Sequence, residues 1–151
     1  MPEDDVVKRA RQDEREGKAP STQAGEFVHE EIEHVKEGKH GARSAKQAIA
    51  IGLSKARRAG VKLPPPKSGG EEVRKRAERD AEKGKHSAAP SRTRSRAATK
   101  ALKREGARAA SHQALSRQAT ESAKRRTVEE RSAAAKKAVR TKRAAGSKAS
   151  G

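Results

Sequence analysis

The sequence lacks the residues on which several classes of protein depend. It contains no cysteine, tryptophan or tyrosine and a single phenylalanine, Phe27. Without cysteine, neither a disulfide framework nor a thiolate metal site can form. A chain with one aromatic residue also lacks the surfaces on which readers of single strands and RNA stack bases.

Long hydrophobic runs are absent as well. No apolar stretch approaches the length of a membrane span, and no charged start followed by a hydrophobic segment indicates secretion. We therefore expect a cytoplasmic protein that has no membrane partner.

Large apolar side chains are scarce, because only 30% of the residues are hydrophobic while 38% are charged. The mean hydropathy is −1.15. Fixing the backbone costs roughly 1–2 kcal/mol per residue, and so sparse a core cannot offset that cost over the full length. The predicted fold class is mostly α with extensive disorder. We expect a small antiparallel helical hairpin, short charged helices and a basic, conditionally helical tail.

The net charge of +18 is distributed in blocks. Residues 1–37 carry −5 and residues 38–70 carry +8 with no acidic residue. Residues 71–86 are nearly neutral at +1, whereas residues 87–151, the basic tail, carry +14. So much positive charge predicts a polyanionic partner, with nucleic acid first.

Composition and local signals divide the chain into five segments. The predicted segments are a mixed-charge N-terminal segment with a short helix (1–20), a helical hairpin core (21–63), a Pro/Gly linker (64–70), a repeat of the N-terminal charged helix (71–86) and the basic tail (87–151).

The sequence contains an internal repeat of a charged segment. "DVVKRARQDEREGK" (5–18) aligns without gaps on "EVRKRAERDAEKGK" (72–85), with seven identical positions. Both copies are predicted to form charged, solvated helices that stop at a glycine, Gly17 and Gly84.

The hairpin prediction rests on two amphipathic stretches. In "SAKQAIAIGLSKARRAG", Ser44 is a good N-cap, Gln47 completes a capping box, and Gly60 suits the residue after the helix. The stretch "GEFVHEEIEHVKEG" supplies the partner helix, and Gly52 would let it approach closely. The predicted hairpin core consists of Phe27, Val28, Ile32, Val35, Ile49, Gly52, Leu53 and Ala56. Two short helices form a marginal unit, which leaves a homodimer open.

No motif for catalysis is present. "HEEIEH" places His29 and His34 five residues apart, about 140° around a helix, so they cannot bind one ion as the zinc-protease motif does. The serines have no plausible base, and no glycine-rich phosphate loop occurs. We expect no enzyme activity, metal, cofactor or small-molecule substrate.

Basic residues are the strongest functional signal, because keeping so much like charge together is costly without a polyanion. Each phosphate neutralised by a lysine or arginine releases counterions, which drives binding without reading sequence. The predicted phosphate contacts are Lys46, Lys55, Arg57, Arg58, Lys62, Arg92, Arg94, Arg96, Lys100, Lys103, Arg104, Lys124, Arg125, Arg126, Lys136, Lys137, Arg140, Lys142 and Arg143.

The segment "GEFVHEEIEHVKEGKHGARSAKQAIAIGLSKARRAGVKLPPP" resembles a family of small, basic, uncharacterised bacterial proteins, often labelled only as DNA-binding or as a domain of unknown function. The tail is similar in composition to linker-histone tails and to the Lys/Ala-rich extensions of bacterial histone-like proteins. This resemblance implies DNA binding but no catalytic residue, fold or mechanism.

These observations favour a nucleoid-associated, histone-like protein that binds the phosphate backbone of duplex DNA. Two alternatives remain open. One is a protein-interaction module that uses the acidic and basic faces of the hairpin. The other is a basic protein that associates with RNA or the ribosome.

Overall fold

The computed structural model describes residues 4–67, 69–86 and 91–149, with side chains described as far as residue 146. Residues 1–3 of the predicted N-terminal segment, Ser68 of the linker and residues 87–90 and 150–151 of the tail lie outside this part. The helices are α1 (Asp4–Arg15), α2 (Pro20–Lys36), α3 (Ala45–Arg58), α4 (Gly70–Lys85), α5 (Arg92–Lys103), α6 (His112–Arg125) and α7 (Val128–Ala149), with a 3-10 turn at Arg108–Ala110. The described residues contain no strand, which confirms the prediction of a mostly helical chain.

The chain forms two compact units, residues 1–114 and 115–151. In the first, α2 packs between α1 and α3, and α3 also packs against α4. Its main core cluster contains Val6, Ala10, Ala24, Phe27, Ala56 and Val61. Phe27 is the largest side chain that is fully buried there, so most of the core is built from small residues.

Close approach of the backbones compensates for these small side chains. A Cβ atom at Gly52 of α3 would lie 2.6 Å from the Cα of Val28 in α2. Dispersion contacts are short-ranged, and small side chains make few of them across a wide gap. Helices that approach this closely therefore make dispersion contacts even where the residues are alanine and glycine.

Both copies of the repeat dock on this core, although the sequence predicts solvated helices. Ala10 and Asp13 of α1 are buried, and so are Ala77 and Asp80 at the matching positions of α4. Asp13 accepts a hydrogen bond from Lys18, and Asp80 accepts hydrogen bonds from Ser54 and Arg58. The repeated Ala and Asp therefore form a docking face in each copy, and the charged residues around them stay exposed.

The two copies end differently. Gly17 follows α1 with a positive φ of 74°, as a helix-terminating glycine does. Gly84 instead lies inside α4, which continues to Lys85, so the predicted stop there is wrong. A Cβ at Gly84 would clash with the carbonyl oxygen of Arg57. The second glycine is therefore needed for the contact between α4 and α3.

The end of α5 and the residues that follow it also pack in the first unit. The backbone N–H of Gly41 donates to the carbonyl of Leu102, and that of Ala42 donates to the carbonyl of Gly106, at 2.9 and 3.2 Å. Ala109 and Ala110 are buried in a second cluster with Val35, Ala42 and Ala48. This segment, residues 102–110, ties the start of the basic tail to the hairpin region.

The rest of the described tail is helical and exposed. No residue of α5 or α6 is buried, and α7 is exposed as far as residue 146. The expected extensive disorder is not confirmed, since alanine, lysine and arginine all favour helix. Among the described residues, no helix has both the length and the apolar character that crossing a membrane requires.

Candidate nucleic-acid interface

The predicted phosphate contacts of the tail all lie on exposed helix surface or directly beside it. They are Arg92, Arg94, Arg96, Lys100, Lys103, Arg104, Lys124, Arg125, Arg126, Lys136, Lys137, Arg140, Lys142 and Arg143. Residues 91–149 contain 18 basic residues against four acidic ones. The surface of this part of the chain is therefore strongly cationic.

Helix α5 concentrates its charge on one face. The spacing of four, four and three residues aligns Arg92, Arg96, Lys100 and Lys103. At 1.5 Å per residue this face is about 16 Å long. Duplex DNA carries one phosphate charge per about 1.7 Å of its axis, so a duplex offers roughly ten phosphates over the same distance.

The basic residues of α3 have a different environment. Lys55 pairs with the fully buried carboxylate of Glu31. The guanidinium Nε of Arg58 donates to Asp80 at 2.8 Å, and a terminal nitrogen of Arg57 donates to the carbonyl of Pro64 at 3.1 Å. These three side chains are engaged inside the first unit.

Burial sets Arg57 apart from the other predicted contacts. The residue is only 7% exposed. Burial lowers the pKa of its guanidinium, and the negative charge of Asp80 partly opposes that shift. A side chain in this position supports the chain around Pro64 rather than a surface for polyanions.

Lys46 and Lys62 are exposed, and neither is in a described ion pair, whereas the exposed Arg58 pairs with Asp80. Lys46 lies in the first turn of α3, and Lys62 follows the end of that helix. Of the five phosphate contacts predicted outside the tail, these two are therefore the ones whose surroundings suit a phosphate.

Three further basic residues lie exposed among the predicted contacts, Arg108, Arg117 and Arg131. Each stands alone in the sequence, whereas the predicted contacts of the tail lie in clusters of basic residues. A search for basic clusters therefore does not find these three. Their exposure makes them equivalent to the selected residues as cationic groups.

The predicted hairpin residues lie between α2 and α3 or beside that contact. Phe27, Val35, Gly52 and Ala56 are buried, whereas Val28, Ile32, Ile49 and Leu53 are partly buried. Because Phe27 has no exposed surface, the single phenylalanine of the chain is not available for stacking on a base.

Comparison with known proteins finds a family match over the first three helices. Residues 7–67, which hold α2, α3 and most of α1, match a family of unknown function (DUF6496). The family description carries neither a DNA-binding label nor a histone-like tail, and the match ends before α4. No curated protein and no solved structure matches the chain.

Proposed function

We propose that this protein binds the phosphate backbone of duplex DNA without sequence preference and associates with the bacterial nucleoid. The observation that carries the proposal is the exposure of the tail cations, which lie on helices whose side chains are almost all exposed. A surface of this kind gains free energy from a polyanion through counterion release.

The composition of the tail favours backbone contacts over base contacts. Sequence is read in the grooves by hydrogen bonds and apolar contacts to base edges. Arginine and lysine also bind phosphates, and in the tail they occur with alanine and serine in runs without large apolar groups. We infer that the tail follows phosphates and does not discriminate among bases.

Helix formation in the tail is coupled to binding in this proposal. Like charges on neighbouring turns destabilise a free helix, and helices without a packed face are marginal in water. Phosphates neutralise that repulsion, so α5–α7 gain helicity on DNA while α1–α4 keep their structure.

The interaction-module alternative ranks second because opposite charges of the hairpin region contact each other. Glu31 pairs with Lys55, and Glu26 pairs with Arg9 at 2.8 Å. These groups are engaged inside the chain, which leaves the tail as the larger source of uncompensated charge.

The proposal is tested with the full chain and fluorescently labelled duplexes of two unrelated sequences, followed by fluorescence anisotropy. We expect equal affinities for the two DNA duplexes, because phosphates are common to both. Binding to a single strand of the same length should be weaker, since its lower charge density releases fewer counterions per contact.

Three results would contradict the proposal. The first is no binding to either duplex. The second is discrimination between the two sequences by about 1,000-fold or more, the range of specific readers. The third is a clear preference for structured RNA over duplex DNA, which would favour the RNA alternative instead.

A further inference from the structure

Glu31, His34 and His40 come together where the end of α2 meets the loop that follows it. Each residue offers one ligand atom, and the three atoms lie within 4.8 Å of one another. The carboxylate of Glu31 is fully buried, and the side chains of His34 and His40 are 12% and 11% exposed. Two imidazoles and a carboxylate form a ligand set that suits Zn²⁺ and other first-row divalent metals.

The distances are close to those of a metal centre. Nε2 of His40 lies 3.1 Å from Oε2 of Glu31, and Nδ1 of His34 lies 3.6 Å from Oε1 of the same carboxylate. A tetrahedral zinc ion with bonds of about 2.0–2.1 Å holds its ligand atoms about 3.3 Å apart. These two distances end on different oxygens of Glu31, and ligand atoms up to 4.8 Å apart would have to close by about 1.5 Å to bind one ion.

The surroundings of His40 add a second, independent observation. Its Nδ1 lies 2.9 Å from the carbonyl oxygen of Gly41, so both ring nitrogens face oxygen acceptors. A neutral imidazole has a single N–H and would leave a lone pair against an oxygen. A metal ion between Nε2 and Glu31 would remove this repulsion between the lone pair and the oxygen. A second proton on the ring would have the same effect. Donation from Nδ1 to a carbonyl is also how metal-binding histidines are usually oriented.

Lys55 sets a limit on the affinity. Its ammonium pairs with Oε1 of Glu31, whereas His40 approaches Oε2. An ion on the Oε2 side leaves the lysine pair in place but lies close to a positive charge, and His34, which approaches Oε1, must turn towards it. We expect weaker binding than at a structural cysteine site, where thiolates neutralise the metal.

We propose that Glu31, His34 and His40 bind one divalent transition-metal ion, with Zn²⁺ as the representative, and that this ion rigidifies the loop before α3. His40 directly precedes Gly41, whose N–H holds Leu102 of the docked segment 102–110. Metal binding therefore reinforces the contact between this loop and the docked segment 102–110. None of the three ligands is among the predicted phosphate contacts.

The prediction of no metal rested on the spacing of His29 and His34, which lie about 140° apart on a helix. The structure leaves His29 exposed beside Glu33 and brings His40 next to His34 from the loop instead. The available signal was the i, i+3 spacing of Glu31 and His34, which puts both on one side of α2. No local rule places His40 beside them, since its position depends on how the loop folds back.

The test uses the full chain, prepared without a histidine tag, and titrates it with zinc chloride in a calorimeter. We expect one ion per chain, and visible absorption bands of a low-symmetry site when Co²⁺ replaces Zn²⁺. Hydrogen exchange of the Gly41 and Ala42 amides should slow in the presence of zinc, because both donate to the docked segment.

His34→Gln and His40→Gln should each weaken zinc binding by about tenfold or more, because loss of even an outer-shell partner costs about 10–100-fold. His29→Gln is the matched control on the same helix and should bind as the unchanged chain does. Circular dichroism checks that the variants keep their helices. The proposal is overturned if the unchanged chain binds no zinc, if zinc leaves both amides unprotected, or if the His29 and His40 variants respond alike.

Discussion

Removing six positive charges from α7 should weaken binding to duplex DNA by about 100-fold or more at roughly 0.1 M salt, whereas removing six from α4 should change it little. In the first variant, glutamine replaces Arg131, Lys136, Lys137, Arg140, Lys142 and Arg143. In the second, it replaces Arg74, Lys75, Arg76, Arg79, Lys83 and Lys85.

The two variants are matched in the number of charges removed and in the exposure of the residues replaced. All twelve residues are exposed on helices, and each variant lowers the net charge of the chain by six. Glutamine has a helix propensity close to that of lysine and arginine, so neither helix is weakened intrinsically.

The expected difference follows from the local charge balance. Helix α7 has seven basic residues against two acidic ones, whereas α4 has six against five. Ion pairs such as Lys75 with Glu71, at 2.8 Å, already compensate part of α4. Each phosphate contact at this salt concentration accounts for up to about tenfold in affinity, so losing two or three of six suffices for the effect.

Fluorescence anisotropy on one labelled duplex measures both variants against the unchanged chain. Equal losses for α7 and α4 would mean that net charge alone decides binding and that the tail has no special part. A loss confined to the α4 variant would place the interface on the repeat helices instead.

The second large effect concerns glycines in helix interiors. Gly52→Ala should lower the free energy of unfolding by about 1–3 kcal/mol, because the new methyl group would lie 2.6 Å from the Cα of Val28. The methyl group meets backbone, which cannot rotate aside as a flexible side chain does. The close contact between α2 and α3 would have to widen.

Gly25→Ala is the control with the opposite sign. Gly25 lies in α2, and no atom lies within 4 Å of the position that its Cβ would take. Alanine there should raise the free energy of unfolding by about 0.5–1 kcal/mol, since glycine is the poorer helix former. Urea unfolding followed by circular dichroism measures both. If both variants are stabilised, α2 and α3 do not pack closely at Gly52.

Local signals predicted part of this fold for physical reasons. Composition rich in alanine, lysine and arginine and free of strand patterns favours helix, and the described chain is helical. The start of α3 was also predictable, because an N-cap depends on neighbours in sequence. The side chain of Ser44 accepts from the Gln47 amide at 3.1 Å. The side chain of Gln47 reaches the Arg43 amide at 2.5 Å, one residue before the usual partner in a capping box.

The docking of the charged helices was not predictable from periodicity. Neither repeat copy has a stripe of large apolar residues, and each docks through alanine and a paired aspartate. Identical residues at matching positions of the two copies even differ in burial, since Val6 is buried and Val73 is 46% exposed. Which neighbours meet each position depends on the tertiary arrangement, and the repeat itself does not encode that.

The sequence predicts that the candidate interface is rich in basic residues, but it predicts less well which of those residues are exposed. Lys46 and Arg57 are similar in charge and lie in the same helix, yet one is exposed and the other buried. Helix position alone does not separate them, because Arg57 is covered by the chain at Pro64 that folds back after α3. The contact of Gly41 with the segment 102–110 was not predictable either, since it depends on backbone hydrogen bonds to residues about sixty positions away.

The salt dependence of duplex binding by the full chain tests the central claim most directly. If the tail follows phosphates, the logarithm of the binding constant should fall linearly with the logarithm of salt concentration. With six or more contacts, the slope should be about −5 or steeper. A slope near zero with affinity retained at high salt would contradict the account, because binding would then not depend on the exposed cations of the tail.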